Sequence, residues 1–153
     1  MEFDLNRLTA QIAQYLAPRL EGFHFYEDPA QQGVKTPCLF IQGEEGEPDL
    51  CPGGGQCRQV TVKLTYRDRV NPTDWMERAR QVAEILDDAL SVVEYRDGEG
   101  EPALLRSTSR RWEAADQQLV YRLTFHLRLR RREDSPLMGR ITWQSTWKMN
   151  EGE

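Results

Sequence analysis

Three cysteines and two histidines are the side chains in this sequence with the chemistry of nucleophiles or soft metal ligands. They are Cys38, Cys51, Cys57, His24 and His126. No pair has the C-x2-C or H-x3-H spacing typical of zinc ligands, so the sequence predicts no metal site. Catalysis by Cys38 with either histidine would need a base and an orienting group, and the spacing indicates neither. We expect Cys38 to be a small buried residue at the start of a strand and the other two cysteines to be loop thiols.

A glycine-rich segment and two pairs of carboxylates are the other features that catalytic or cofactor sites often contain. The segment "CPGGGQC" (51–57) lacks the Lys-Ser/Thr and the following helix of a phosphate-binding loop, because the chain continues into an alternating strand. The pairs Asp87/Asp88 and Glu44/Glu45 are expected on a solvated helix face and in a loop, where they do not indicate glycosidase chemistry. The sequence therefore predicts no catalytic residue and no cofactor.

An accumulation of arginine near the C-terminal end is the charged pattern that suggests a function. Residues 104–132 contain eight Arg against Glu113 and Asp116, whereas residues 1–57 carry nine Asp/Glu against three Lys/Arg. One basic and one acidic surface suit assembly or electrostatic docking, including a head-to-tail ring of identical copies. Two alternatives stay open. The arginines could bind nucleic-acid phosphates, or they could form a solvated strand face that protects a sheet edge.

The residues that we predict as assembly contacts lie on a long C-terminal strand, on its partner strand and in an acidic loop. They are Arg122, Arg128 and Arg130 on the long strand, Arg110 and Arg111 on its partner, and Glu44, Glu45, Glu47 and Asp49 in the loop. His126 alternates with arginines on the outward face of the long strand. That position is more typical of a surface or interface histidine than of a ligand.

The length and composition indicate one globular domain over residues 1–153. A hydrophobic fraction of 39% with four Trp is not the composition of a disordered chain, and a net charge of −5 argues against general nucleic-acid binding. No stretch approaches the roughly twenty apolar residues of a membrane span, so no membrane association is predicted. The N-terminus lacks a signal-peptide pattern and the cysteine count is odd, which predicts a reducing cytoplasm.

Apolar residues at helical spacing predict two helices. The first covers about residues 4–17, with Asp4 or Asn6 as its cap. The second lies in "NPTDWMERARQVAEILDDALSVV" (71–93). Its start is indicated by Pro72 with Thr73 or Asp74, and a glutamate three residues after Asp74 has the spacing of a capping box.

Alternating or continuous apolar residues predict the strands. In chain order these are "GFHFYED" (22–28), "PCLFIQG" (37–43), "CRQVTVKLTYR" (57–67), a long hairpin over 103–131, and a short strand in "GRITWQSTWKMN" (139–150) with Trp143 and Trp147 as anchors. Residues 43–57 are predicted to be a flexible loop. The fold class is therefore α+β, with two helices packed on a mostly antiparallel β-sheet that has a long C-terminal hairpin.

An ordered set of short motifs resembles a known protein family. Its first half comprises Tyr26-Glu27, "QQG" (31–33), "PCLFI" (37–41), a strand ending in Tyr66 and an amphipathic helix. Its second half comprises "LLR" (104–106), "RWE" (111–113), Asp116, "LVYRLTFHLRLRR" (119–131) and "PLM" (136–138). In this order they resemble the small tail terminator proteins of contractile-tail phages, prophages and phage-tail-like bacteriocins. The resemblance spans about residues 5–140. The loop 43–57 and the tail 139–153 depart from the family pattern.

The resemblance implies a structural subunit without enzymatic activity. Such subunits assemble as a homo-oligomeric ring, a hexamer, on the end of the completed tail tube. The ring stops polymerisation of the tube and presents the head-joining surface. The implied partners are the tail tube protein and also sheath and head-completion proteins, with DNA only as passing cargo. The implied location is the head-proximal end of the virion tail, after assembly in the host cytoplasm.

Three other functions remain as alternatives at this point. The first is a head-completion or connector subunit that acts at the same junction from the head side. The second is a small cytosolic thiol hydrolase that uses Cys38. The third is a DNA-binding module, whose affinity would fall steeply with salt.

Overall fold

Two helices lie on one face of a curled, mixed β-sheet. This computed structural model describes residues 3–46, 49–50, 56–96, 102–115, 117–131 and 147–149. The elements in chain order are α1 (Leu5–Leu16), β1 (His24–Tyr26), β2 (Cys38–Glu45), β3 (Asp49–Leu50), β4 (Gln56–Arg67), α2 (Pro72–Leu90), β5 (Val92–Tyr95), β6 (Ala103–Ala115), β7 (Gln118–Arg131) and β8 (Trp147–Met149). The predicted α+β class is confirmed, and neither described helix is long and apolar enough to cross a membrane.

Helix α1 forms where the periodicity predicted it. Asp4 has extended backbone geometry and its side chain accepts a hydrogen bond from the Asn6 amide, which satisfies a free N–H group at the helix start. Leu8, Ile12 and Leu16 recur at a spacing of four and are fully buried. The helix packs with this stripe on the sheet.

Helix α2 begins at Pro72, as predicted, but its cap lies one residue before the predicted start signals. Its cap is Asn71, whose Oδ1 accepts a hydrogen bond from the Thr73 amide at 3.2 Å. The predicted capping box from Asp74 is therefore wrong. Pro72 occupies the first turn, where no intrahelical donor is needed. The helix ends at Leu90, and Val93, the last residue of the segment predicted to contain this helix, lies in strand β5 instead.

The sheet runs in the order β1-β2-β4-β7-β6-β5, with β3 beside β4 and β8 beside β7. It is mixed because β1 pairs with β2 in parallel, whereas the other pairs are antiparallel. The central ladder joins β4 to β7 from Arg67↔Gln118 to Gln56↔Leu129. This ladder pairs residues some 50 to 70 positions apart, which no local pattern could predict.

The sheet has two chemically different faces. The helix-facing side carries the apolar core, in which the β4 residues Val60, Val62 and Leu64 pack with the buried stripes of both helices. The alternate residues point to the opposite side, which we call the outer face. No helix of the described chain covers the outer face, and Arg111, Arg122 and His126 are exposed there.

Strand β6 changes partner along its length. Its second half pairs with β7 from Ala115↔Gln118 to Ser107↔Phe125, with an irregularity at Thr108, and its first half pairs with β5. The prediction of one long hairpin over 103–131 is therefore not confirmed. A bulge inserts one unpaired residue and bends the strand, which separates the two halves of β6.

The prediction of a flexible loop over 43–57 is wrong at its ends. Strand β2 continues to Glu45, which is opposite Val60, and β3 pairs Asp49 with Cys57. The acidic composition of this segment suggested a loop, but backbone pairing with β4 overrides that local preference. The predicted short C-terminal strand is confirmed in part, because Trp147–Met149 pairs with β7, whereas Trp143 lies outside the described residues.

Candidate assembly surface

The cysteine that could act as a nucleophile is buried in strand β2. Cys38 is fully buried on the outer face, and burial raises the pKa of its thiol above the usual value. A reactive cysteine needs the opposite shift. His24 is the register neighbour of Cys38 on β1 but is itself exposed. The site therefore lacks the lowered thiol pKa on which thiol catalysis depends.

The remaining soft-ligand residues are separated. His126 is exposed on the outer face of β7, opposite Gln59. Cys57 is disulfide-bonded, so its interpretation as a loop thiol is wrong. Among the residues with described positions, no group of three or more His, Cys, Asp or Glu side chains could hold a metal ion.

The residues predicted as the acidic contact set do not form one surface. Glu44 is exposed on the outer face, whereas its neighbour Glu45 lies on the helix-facing side and forms an ion pair with Arg58 at 3.2 Å. Asp49 lies in β3, and Glu47 is outside the described part of the chain. Glu44 and Glu45 are separated because successive side chains of a strand point to opposite faces of the sheet.

The predicted arginines are likewise divided between the two faces of the sheet. Arg110 lies on the helix-facing side, where its Nη1 donates a hydrogen bond to the Asp87 carbonyl oxygen at 2.8 Å. That position stabilises the arginine, because helix C-terminal carbonyls carry partial negative charge. Tyr121 donates from its hydroxyl to Asp87 Oδ1 at 2.6 Å, and burial, followed by this hydrogen bond, raises the pKa of Tyr121. Arg110 thus belongs to an intrachain cluster.

Three cations instead form a row across the outer face. Lys63 of β4 is opposite Arg122 of β7, and Arg122 is opposite Arg111 of β6. We call these three residues the basic row. Adjacent strands are about 4.8 Å apart, so the row spans about 10 Å. Lys63 is not among the predicted contacts, because the alternation of β4 indicates its outward position but not the register that aligns it with Arg122.

The basic row is without an ionic partner in the part of the chain that the structure describes. Within the described chain, no ion pair involves any of its three members. Like charges directly opposite one another on neighbouring strands destabilise a sheet. Glu44 of β2 and Glu113 of β6 are the nearest carboxylates on the same face by register, each diagonal to a member of the row. Arg128 and Arg130 lie farther along β7, opposite Cys57 and Lys148.

One end of the outer face is closed by the chain itself. Phe40 is fully buried there, with the Tyr26 ring 5.7 Å away and the Arg67 guanidinium 4.8 Å above its ring. Arg67 also donates to Gln118 at 3.2 Å, so its side chain is already engaged. Beyond this closed end, and among the described residues, Arg111 and Arg122 of the basic row are exposed.

We expect the same charge reversal at two neighbouring positions to have different effects on stability. Arg110→Glu removes the bond to the Asp87 carbonyl and brings two carboxylates together, which lowers the free energy of unfolding by about 1 kcal/mol. Arg111→Glu places a carboxylate opposite Arg122 and leaves the subunit as stable or slightly more stable. Urea denaturation of both variants measures the difference. Equal destabilisation by the two substitutions would contradict the assignment of Arg110 to the intrachain cluster.

Comparison with known proteins identifies the family. The family model described as "Phage tail terminator protein" matches residues 7–136. Comparison with curated proteins gave no match. The family match covers most of the chain and includes α2, α1 apart from its first two residues, and the strands that carry the basic row. The chain therefore belongs to the phage tail terminator family and has a structural, tail-terminating role in the virion tail.

Proposed function

We propose that this protein assembles as a hexameric ring on the completed tail tube, stops its polymerisation and forms the surface that joins the head. The observation that carries the proposal is the basic row, in which Arg111 and Arg122 are exposed, Lys63 is half-buried and no member forms an ion pair with any described residue. A subunit that keeps mutually repelling charges on an open sheet face gains stability when a partner supplies anions. This fits an assembly protein of one domain better than a free monomer.

The proposed contacts are the predicted residues other than those engaged within the chain, and the proposed partners are those that the resemblance to tail terminators implies. Arg110 and Glu45 have partners within the chain, so we propose Arg111, Arg122, Arg128, Arg130, Glu44, Glu47 and Asp49 as the assembly contacts. The ring would bind the tail tube protein and, in a contractile tail, the sheath. Head-completion proteins would bind its other side, at the head-proximal end of the tail, and DNA would pass through it as cargo. Assembly would take place in the host cytoplasm.

The test is growth of the tail tube in the presence and absence of this protein. With the protein added, we expect tube elongation to stop and electron micrographs to show a ring at one end of each tube. Without it, tubes should continue to lengthen. Unchanged elongation would contradict the proposal, and copurification with the portal instead of the tube would favour a head-completion subunit.

A further inference from the structure

A second charged surface lies on the exposed side of helix α2, on the far side of the molecule from the basic row. Exposed polar side chains recur there at alternating spacings of three and four residues. They are Asp74, Glu77, Gln81, Glu84 and Asp88, and we call them the acidic stripe. Residues with this spacing lie on one helix face. At a rise of 1.5 Å per residue the stripe is about 21 Å long.

Among the described residues, most carboxylates of the acidic stripe have no cationic partner. Glu77 forms an ion pair with Arg80. Asp74, Glu84 and Asp88 take part in no ion pair among the residues that the structure describes. Glu84 and Asp88 are four residues apart, and like charges at that spacing destabilise a helix. In the acidic stripe, as in the basic row, like charges lie close together and most have no ionic partner among the described residues. The charges of the stripe are negative, whereas those of the row are positive.

We propose that the acidic stripe of one copy docks on the basic row of the next copy. This rests on the ring proposed above and names the two surfaces that would form its subunit contact. The basic row spans about 10 Å across three strands, and Glu77 and Glu84 are about 10.5 Å apart along the helix axis. The neighbour's helix would cross the strands, with its carboxylates facing Lys63, Arg122 and Arg111.

The contact must join different copies. Helix α2 packs on the helix-facing side of the sheet, so its exposed stripe cannot reach the outer face of its own chain. Because the two surfaces lie on opposite sides of the subunit, a two-fold axis cannot bring both pairs together; the contact is heterologous and generates a ring when the rotation between copies closes. The two surfaces therefore suit a cyclic assembly and not a two-fold dimer.

The outer face favours a protein partner over nucleic acid. Glu44 and Glu113 flank the basic row, and a phosphate backbone would meet these carboxylates as well as the cations. The neighbour's helix α2 carries charges of both signs, because Arg80 is exposed beside the acidic stripe. It can therefore match both the cations and the flanking carboxylates of the outer face. The net charge of −5 also opposes general binding to a polyanion.

The experiment combines charge reversals on the two surfaces. Arg122→Glu makes the centre of the basic row acidic, and Glu84→Arg makes the acidic stripe basic. Arg7→Glu and Glu21→Arg, both at exposed positions on neither surface, are matched controls with the same charge changes. Sedimentation velocity over a concentration series measures assembly, and circular dichroism confirms that each variant is folded.

We expect each single reversal to raise the concentration of half-assembly about tenfold or more, the effect of losing about 1.4 kcal/mol. An equimolar mixture of Arg122→Glu and Glu84→Arg should assemble again, because each variant supplies the surface that complements the other. The mixture would form rings of alternating copies. The two control variants should assemble like the wild type, alone and mixed.

Three outcomes would overturn the proposal. The first is a wild-type chain that sediments as a monomer at every concentration. The second is assembly that is unaffected by either reversal, or that both reversals disrupt without restoration in the mixture. The third is intact assembly of Arg122→Glu together with loss of salt-sensitive binding to a fluorescent DNA duplex, which would assign the basic row to phosphate.

Tube elongation, measured in parallel, separates this inference from the proposed function. Wild-type rings that stop elongation, with reversals that leave assembly unchanged, would refute only the subunit contact. Restored assembly in the mixture, with no effect of any ring on tube elongation, would refute only the tail-capping role.

Discussion

Tyr66→Ala is expected to lower the free energy of unfolding by about 3–5 kcal/mol, the range for removal of a buried aromatic ring. The Tyr66 side chain is fully buried at the end of β4. Its ring stacks on Trp75 of α2 and on Phe23 before β1, each with 5.4 Å between ring centroids. The substitution therefore loosens three separate segments at once. Because a domain of this size is stable by about 5–15 kcal/mol, the loss is a large share of the total.

Tyr66→Phe is the matched control for this substitution. It keeps the ring contacts and removes the hydroxyl, which donates to Asp68 Oδ2 at 2.7 Å and accepts from Arg78 Nε at 3.3 Å. We expect it to cost about 1 kcal/mol. Urea denaturation followed by circular dichroism measures both variants. A cost for Tyr66→Ala no greater than that for Tyr66→Phe would show that the stacked rings contribute nothing.

Alkaline pH is expected to unfold the protein through two buried tyrosines. Burial, with hydrogen bonds to carboxylates, raises the pKa of Tyr66 and of Tyr121 well above the usual value of about 10. Above pH 10 the unfolded chain therefore releases protons that the folded chain retains. The free energy of unfolding then falls by up to about 1.4 kcal/mol per pH unit for each tyrosine. The stability contributed by the two protonated tyrosines is complete below pH 10, and it is lost as the pH rises toward their pKa values in the folded state.

Urea denaturation at a series of pH values between 8 and 12 measures this dependence. A double variant, Tyr66→Phe with Tyr121→Phe, should be less stable at pH 8, and its stability should fall less steeply above pH 10. Tyrosinate absorbance should appear together with unfolding for these two rings. If the free energy of unfolding of the double variant fell with pH as steeply as that of the wild type, Tyr66 and Tyr121 would not be the cause of the alkaline instability.

The elements of this protein were largely predictable because their signals are local. The apolar spacing in α1 and the alternation in β4 and β7 depend on residues within one turn or two positions of each other. Cys38 could also be placed correctly, because it heads a continuous apolar run that is fully buried. The predicted helix α2 extended too far, since Val93 fits its apolar stripe and equally fits the strand β5 that it joins.

The candidate surface depended on features that are not local. Arg110 and Arg111 are adjacent in the sequence, and the irregularity at Thr108 decides which of them faces outward. An inserted residue shifts the alternation by one, so the side chains beyond it exchange faces. The prediction that the acidic residues share one loop was wrong for a related reason. Glu44 and Glu45 lie in a strand and occupy opposite faces of the sheet.

The sequence by itself determined the α+β class, the face that each residue of β4 and β7 presents, and the resemblance to the tail terminators. Periodicity and motif order carry that information along the chain. Only the tertiary structure decided that Lys63, Arg122 and Arg111 form one row and that the acidic stripe lies on the opposite side of the molecule. Register across strands is set by the fit of side chains from distant parts of the chain in one core, and that fit exists only in the folded protein.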